Sequence, residues 1–220
     1  MLAALKARLQ TVDAAQRTRP PQNGAELRDV VVLDWNGAPV QLGELWRFQP
    51  LVLVLLRHYG CVFCRAHAVQ LHRYRDRFQG AGARLAAIGQ GTVEQAFEFR
   101  RSQSIHLPVY SDPERRAYEA AGAKVATLSE LFNPRVVARG LGHTIRSRTK
   151  QGRIAVHQGR IVDNAAQLGG VLVIAPDDSI RYAHMSEDAS DIPPVDEVLA
   201  AVQAIRPHAT PARNGQPAAV

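Results

Sequence analysis

Six consecutive apolar residues, Leu-Val-Leu-Val-Leu-Leu at 51–56, restrict the fold more than any other stretch of the chain. The run is far too short to cross a bilayer as a helix. It is rich in branched side chains and has no polar residue alternating with them. A strand that reads this way is buried on both faces, so other elements must cover both sides of its sheet. A helical pattern follows at 62–79, with Cys64, Ala68, Leu71, Tyr74 and Phe78 recurring at helix spacing and Gly80 and Gly82 ending it.

The remaining signals continue this alternation. Residues 2–17 carry apolar positions at helical spacing and predict a helix, which the Pro-Pro pair of 19–24 separates as a linker. Residues 30–35 read as a strand, and Asn36-Gly37 turns the chain into a second short strand at 39–42. Residues 84–88 predict another buried strand. Thr92 with Gln95 three residues later predicts a capped helix at 93–101. A short strand follows at 107–110, and Asp112-Pro113 predicts a helix start with Asp as cap and Pro in the first turn. Residues 128–139 look helical, and 140–167 read as a polar excursion rich in Gly and Arg. A hairpin of 171–175 and 180–184 then turns on Pro176-Asp177-Asp178, with both Asp read as turn residues. A last helix covers 195–205, and the tail from 207 on is expected to be disordered.

Strands alternating with helices imply an α/β fold. The expected sheet is mostly parallel and covered on both faces, with the closing hairpin adding an antiparallel edge and making it mixed. The expected organisation is an N-terminal helix and linker at 1–29, one domain at 30–205 and a tail at 206–220. The extra helix is a candidate for covering the sheet or for pairing two copies as a homodimer.

Composition narrows the function classes. Hydrophobic residues make up 46% and charged residues 21%, which fits a globular chain and no membrane partner. Lys6 and Arg8 interrupt the apolar N-terminus, so no signal peptide is read and a cytoplasmic location is expected. The net charge of +7 raises the question of an anionic partner. The densest basic group, Arg135, Arg139, Arg146, Arg148, Lys150 and Arg153, has no aromatic residue interleaved for base stacking. A solvated basic surface is therefore favoured over nucleic-acid binding.

The two cysteines, Cys61 and Cys64, form a C-x-x-C pair where the buried strand turns into the long helix. A helix N-terminus stabilises a thiolate, and Arg57, His58 and Arg65 would add positive charge nearby. Cys64, one turn on, shares the face of Cys61 and lies within bonding reach. On this logic Cys61 attacks and Cys64 resolves. A zinc site would need about four ligands; His58 and His67 are near, but no second pair completes it. A pair of inert buried thiols is the third reading. The strand–turn–helix context favours the redox reading.

The stretch from about 30 to 199 resembles the peroxiredoxin-like branch of the thioredoxin superfamily, related to alkyl hydroperoxide reductase and thiol-specific antioxidant proteins. The matching elements, in order, are 51–57 followed by Cys61-x-x-Cys64-Arg65, then Ala87-Ile88-Gly89-Gln90, the Tyr110-to-Arg115 segment, and Gln167-Leu168-Gly169-Gly170. The resemblance implies a thioredoxin-like fold and a redox role through Cys61 and Cys64. Members are antioxidant proteins, and one animal relative reduces a prostaglandin-type endoperoxide. Typical peroxiredoxins carry Thr three residues before the peroxidatic Cys. Cys61 holds that position relative to Cys64, so by this alignment Cys64 attacks. The two logics point to different sulfurs. Thioredoxins also place a cis-proline where Leu168-Gly169-Gly170 stands here, which leaves a close backbone approach at Gly169.

Other residues carry two readings each. Arg57 is either a cation for a thiolate or peroxide oxygen, or an exposed strand-end charge. His58 is a candidate proton donor, though a solvated loop histidine is favoured. Tyr59 and Phe63 flank the pair and shape a pocket, with Phe63 also suited to the core. Arg65 reads as helix surface. Gln90 faces the same sheet edge, where ligands of such folds bind, though a turn residue is slightly favoured. Asp112 reads as a cap only, and His143, His157 and His184 as surface or structural residues.

The expected function is a thiol-dependent oxidoreductase acting on a peroxide or disulfide, re-reduced by an external thioredoxin- or glutathione-like thiol, with no bound cofactor or metal. A narrower enzyme reading confines the substrate to one organic endoperoxide or hydroperoxide. It would bind in a pocket lined by Tyr59, Phe63 and the 140–167 excursion. The other class considered is a non-enzymatic thioredoxin-like redox sensor or metal-binding module.

Overall fold

The computed structural model describes residues 17–131 and 164–205. The expected N-terminal helix at 2–17, all but the start of the helix at 128–139, the excursion before 164 and the tail lie wholly or largely outside the described residues.

Seven strands form one sheet: β1 (Val31–Leu33), β2 (Pro39–Gln41), β3 (Leu51–Leu55), β4 (Arg84–Gly89), β5 (Val109–Ser111), β6 (Gly170–Ile174) and β7 (Ile180–Met185). Their order is β2-β1-β5-β4-β3-β6-β7. The helices among the described residues are α1 (Ala25–Arg28), α2 (Val62–Gly80), α3 (Val93–Gln103), α4 (Arg116–Ala120), α5 (Leu128–Leu131) and α6 (Val195–Gln203). A 3₁₀ turn covers Leu42–Leu45.

The sheet is less parallel than the alternation implied. Helical crossovers through α2 and α3 make β3–β4 and β4–β5 parallel. Every other pairing is antiparallel, including β6 directly against β3. The closing hairpin therefore does more than add an edge: β6 flanks the strand that leads into the cysteines.

The apolar run behaves as its composition dictates. Successive side chains of a strand point to opposite faces. Val52, Val54 and Leu56 enter one core with Phe78 of α2, Phe99 of α3 and Val198 of α6. Leu51, Leu53 and Leu55 enter the other, with Leu27 of α1, Trp46 and Tyr118 of α4. Both cysteines sit in the first core.

Local signals are realised with small differences. Thr92 and Gln95 form a reciprocal capping box on α3. Gly37 takes φ +80° in the turn between β1 and β2, where Asp34 Oδ1 accepts from the backbone of Asn36 and Ala38. Asp112 does cap α4, accepting from Arg116 N and Ala117 N, but a turn intervenes and the helix starts later than Pro113. The segment 19–24 is packed on the domain: Arg19 N donates to Gly122 O at 3.2 Å and Gly24 N to Asp178 O at 2.6 Å. Asp178 is more than a turn residue. It accepts from Arg28 and, at 2.8 Å, from the indole N–H of buried Trp46, tying α1 and the 3₁₀ turn to the β6–β7 hairpin.

Candidate redox site

The site grows out of the C-terminal ends of β3 and β4. Tyr118 Oη donates to Leu56 O at 2.5 Å and to Ile88 O at 3.1 Å, fastening the two strand ends together. The chain then turns through 57–61, closed by Cys61 N donating to His58 O at 3.1 Å. Arg65 Nε donates to Tyr59 O at 2.9 Å, so Arg65 braces the turn rather than standing free on the helix surface. The Tyr59 ring lies over Gly89, where a Cβ would come within 2.4 Å of its atoms, and packs on Phe99 at 5.3 Å.

Cys61 is the N-cap of α2, with extended φ −67° and ψ 122°, and Cys64 lies in the first turn. Both are free thiols and both are buried. Arg57 reaches both sulfurs. Its Nη1 is 3.4 Å from Cys61 Sγ, and its backbone N–H points at Cys64 Sγ at 3.3 Å. Its Nη2 donates to Ala165 O at 2.6 Å. Arg57 is thus a buried cation aimed at a thiol, not an exposed strand-end charge.

The electrostatics separate the two cysteines. The Cys64 thiol hydrogen-bonds the Cys61 sulfur, and with the Arg57 guanidinium this holds Cys61 well below the ordinary thiol range against the opposing effect of burial. The same hydrogen bond, burial and the neighbouring Cys61 charge push Cys64 well above it. Cys61 is therefore the sulfur that carries the negative charge.

The histidine expectations change. His58 is 3% exposed, not solvated, and burial lowers its pKa to about 4. Burial thus keeps it neutral at neutral pH. His67 is likewise buried and lowered to about 4 by desolvation. His184 is paired with Asp191 at 3.0 Å; His143 and His157 lie outside the described residues. No group of three or more His, Cys, Asp or Glu side chains converges among the described residues.

Gln90 is also more than a turn residue. It is buried, its Nε2 donates to Arg57 O and to Asn164 O, and its Oε1 accepts from Asn164 N at 3.2 Å. Gln90 thereby holds the 164–165 backbone against Arg57. Asn164 and Ala165, unremarkable in sequence, form this part of the site through their main chain. Gly169 borders the turn from β6: a Cβ there would fall 2.0 Å from Leu55 O. Phe63 is core.

Comparisons with known proteins bear on this arrangement. The model of the AhpC/TSA antioxidant enzyme family matches residues 70–188. The chain belongs to the AhpC/TSA antioxidant enzyme family. The matched stretch contains Gln90, Tyr118, Asn164 and Gly169 and begins after Cys64. Relatives include the chloroplastic thioredoxin-like protein AAED1 of Arabidopsis thaliana, 32% identical over 80% of this chain and 71% of that protein. Human peroxiredoxin-like 2C is 29% identical over 80% and 78%. The prostamide/prostaglandin F synthase of Salmo salar is 28% identical over 76% and 81%.

Among solved structures, peroxidoxin BcpB of Mycobacterium tuberculosis superposes with a TM-score of 0.58 at 17% identity, covering 86% of this chain and 99% of that one. Peroxiredoxin Q of Xanthomonas campestris gives 0.56 at 17% identity over 88% and 98%. At this identity the likeness is one of fold, and this AhpC/TSA chain has the thioredoxin-like fold of those peroxiredoxins. The Arabidopsis relative is chloroplastic, so the likeness lends no support to the cytoplasmic location read from the sequence.

Proposed function

We propose that this AhpC/TSA family protein reduces peroxides with Cys61 as the attacking thiolate and Cys64 as the resolving thiol. The observation that carries this reading is the convergence of the Arg57 guanidinium and the Cys64 thiol on the Cys61 sulfur at the N-cap of α2. Only the thiolate is nucleophilic, and this placement keeps it ionised inside the protein.

The Cys61 sulfur attacks one peroxide oxygen and the O–O bond breaks. The departing alkoxide or hydroxide takes a proton, and Cys61 becomes a sulfenic acid. Arg57 stands beside the sulfur, where it offers charge to the polarised peroxide oxygens. Cys64 then attacks the Cys61 sulfur, releasing water and forming the Cys61–Cys64 disulfide. A dithiol of the thioredoxin or glutathione-dependent kind returns both thiols by exchange.

A second reading narrows the substrate to an organic endoperoxide, supported by the Salmo salar relative, a prostamide/prostaglandin F synthase. There the O–O bond would be cleaved to two hydroxyls by the same two thiols.

The test is peroxide-dependent turnover of wild type, Cys61→Ser and Cys64→Ser under a thiol-reducing system, with sulfenic acid trapped after a brief peroxide pulse. Cys61→Ser is expected to abolish turnover, and Cys64→Ser to accumulate a sulfenic acid on Cys61. Full activity in both variants, or a sulfenic acid on Cys64, overturns the assignment. A panel of hydrogen peroxide, alkyl hydroperoxides and a cyclic endoperoxide separates the readings, because a broad response removes the narrow one.

A further inference from the structure

Cys64 presents a chemical difficulty. It must lose its proton to close the disulfide, yet it is buried and holds that proton tightly while it donates to Cys61. Oxidation of Cys61 removes part of the difficulty, because the sulfenic acid no longer carries the negative charge that fixes the Cys64 proton. A proton acceptor is still required, and Cys64, 6% exposed, meets little solvent that could serve.

His67 is placed to be that acceptor. It lies three residues beyond Cys64 in α2, on the same face of the helix. It is 5% exposed, and its Nε2 makes no hydrogen bond among the described residues. A buried polar atom without a partner is costly and calls for an explanation. Cys64 and His67 both line one pocket of about 20 Å³, together with Ser186 and Asp191. That is space for about one water molecule among polar groups. Asp191 binds the His184 ring at 3.0 Å, and both side chains of that pair reach solvent, at 30% and 27% exposure.

Resting on the redox reading of Cys61 and Cys64, we infer that His67 accepts the Cys64 proton during disulfide closure and that the Asp191–His184 pair passes it to solvent. His67 takes the proton from Cys64 Sγ, directly or across the cavity. The Cys64 sulfur attacks the Cys61 sulfur; the S–S bond forms and the S–O bond breaks. The departing hydroxide gains one proton and leaves as water, while His67 releases the one it took. The sum is thiol plus sulfenic acid giving disulfide plus water, with no further oxidant or reductant.

The charged groups around His67 permit this. Burial, and after it the His184 ring from β7, oppose a lasting charge on it, so it returns to neutral. Asp191, from the loop after β7, and Arg57 line the same pocket. Asp196 and Glu197 of α6 are turned elsewhere, to Arg77 and Tyr182.

The experiment follows the two chemical steps separately, by quenching after a peroxide pulse and counting sulfenic acid and disulfide by mass. His67→Gln keeps a polar side chain of similar reach but supplies no base. In it, disulfide closure is expected to slow about 10²-fold at neutral pH, the usual worth of a positioned base. Wild-type closure should be flat well above pH 4, where His67 is neutral, and closure in the variant should instead climb with pH as solvent base takes over. Closure in His67→Gln at the wild-type rate, with the wild-type pH profile, overturns the relay. Should His67→Gln not fold, wild-type closure in deuterium oxide decides: slowing beyond the viscosity change supports a proton in flight, and its absence overturns it. Failure to trap any sulfenic acid on Cys61 in Cys64→Ser, where no disulfide can close, overturns the underlying redox reading instead, so the two failures are distinct.

Discussion

The Arg57 guanidinium lies 3.4 Å from the Cys61 sulfur and is held there by the Ala165 carbonyl at 2.6 Å. Replacing it with Met keeps most of the volume and removes the charge. The inflection of Cys61 alkylation by iodoacetamide should then move to higher pH, because the thiolate loses its cation. Peroxide reactivity should fall about 10²-fold. Arg57→Lys should restore charge without the fork to Ala165, and so recover only part of the rate. An unmoved alkylation profile in Arg57→Met would remove Arg57 from the site.

The two buried histidines make stability depend on pH with a defined sign. Each has its folded-state pKa lowered from 6.5 to about 4. Between those values the unfolded chain binds the proton and the folded one does not. Stability is therefore full above about 6.5 and is lost as pH falls toward 4, by an amount on the order of 3 kcal/mol per histidine. Urea midpoints at pH 7 and pH 4.5, in wild type and in the double His58→Gln, His67→Gln variant, measure it. The variant should lose clearly less on acidification; an equal loss would assign it to other groups.

Gly169 and Gly80 should respond oppositely to Ala. At Gly169 a Cβ would lie 2.0 Å from Leu55 O, where β6 meets β3 beside Arg57. The backbone must shift, at a cost of at least about 2 kcal/mol, and peroxide reactivity should fall with it. At Gly80, in the last turn of α2, a Cβ meets nothing within 4 Å. Gly80→Ala should raise stability by up to about 1 kcal/mol. Thermal denaturation of both variants tests the pair.

Gln90→Ala should unfasten the site from the side of residue 164. It strips hydrogen bonds from Arg57 O, Asn164 O and Asn164 N, all buried, at about 2–3 kcal/mol. Hydrogen exchange should rise at 164–166, and Cys61 should lose reactivity because Ala165 no longer positions Arg57. Unchanged exchange there would show that the segment is held by something else.

What the sequence determined by itself were the features written into neighbouring residues. The apolar run at 51–56 became a strand feeding both cores, since period-two geometry sends alternate side chains to opposite faces. The Thr92–Gln95 box and the Asn36-Gly37 turn formed through bonds spanning a few residues. The C-x-x-C pair fell on the N-terminus of α2 because the strand and helix patterns meet there.

Tertiary structure decided the rest. Ala165 meets Arg57 from 108 residues away, and Asn164 meets Gln90 from 74; no local signal marks either pair. The placement of β6 beside β3 had the same origin, because a strand's partner is chosen by the whole sheet. Whether His58 and His67 are solvated or buried depends on what packs over them, and their charge follows from that burial. The electrostatic difference between Cys61 and Cys64 also lies at this level. The helix-terminus logic and the family alignment name different sulfurs, and in the folded surroundings the Arg57 guanidinium and the Cys64 thiol lower Cys61 while Cys64 is raised.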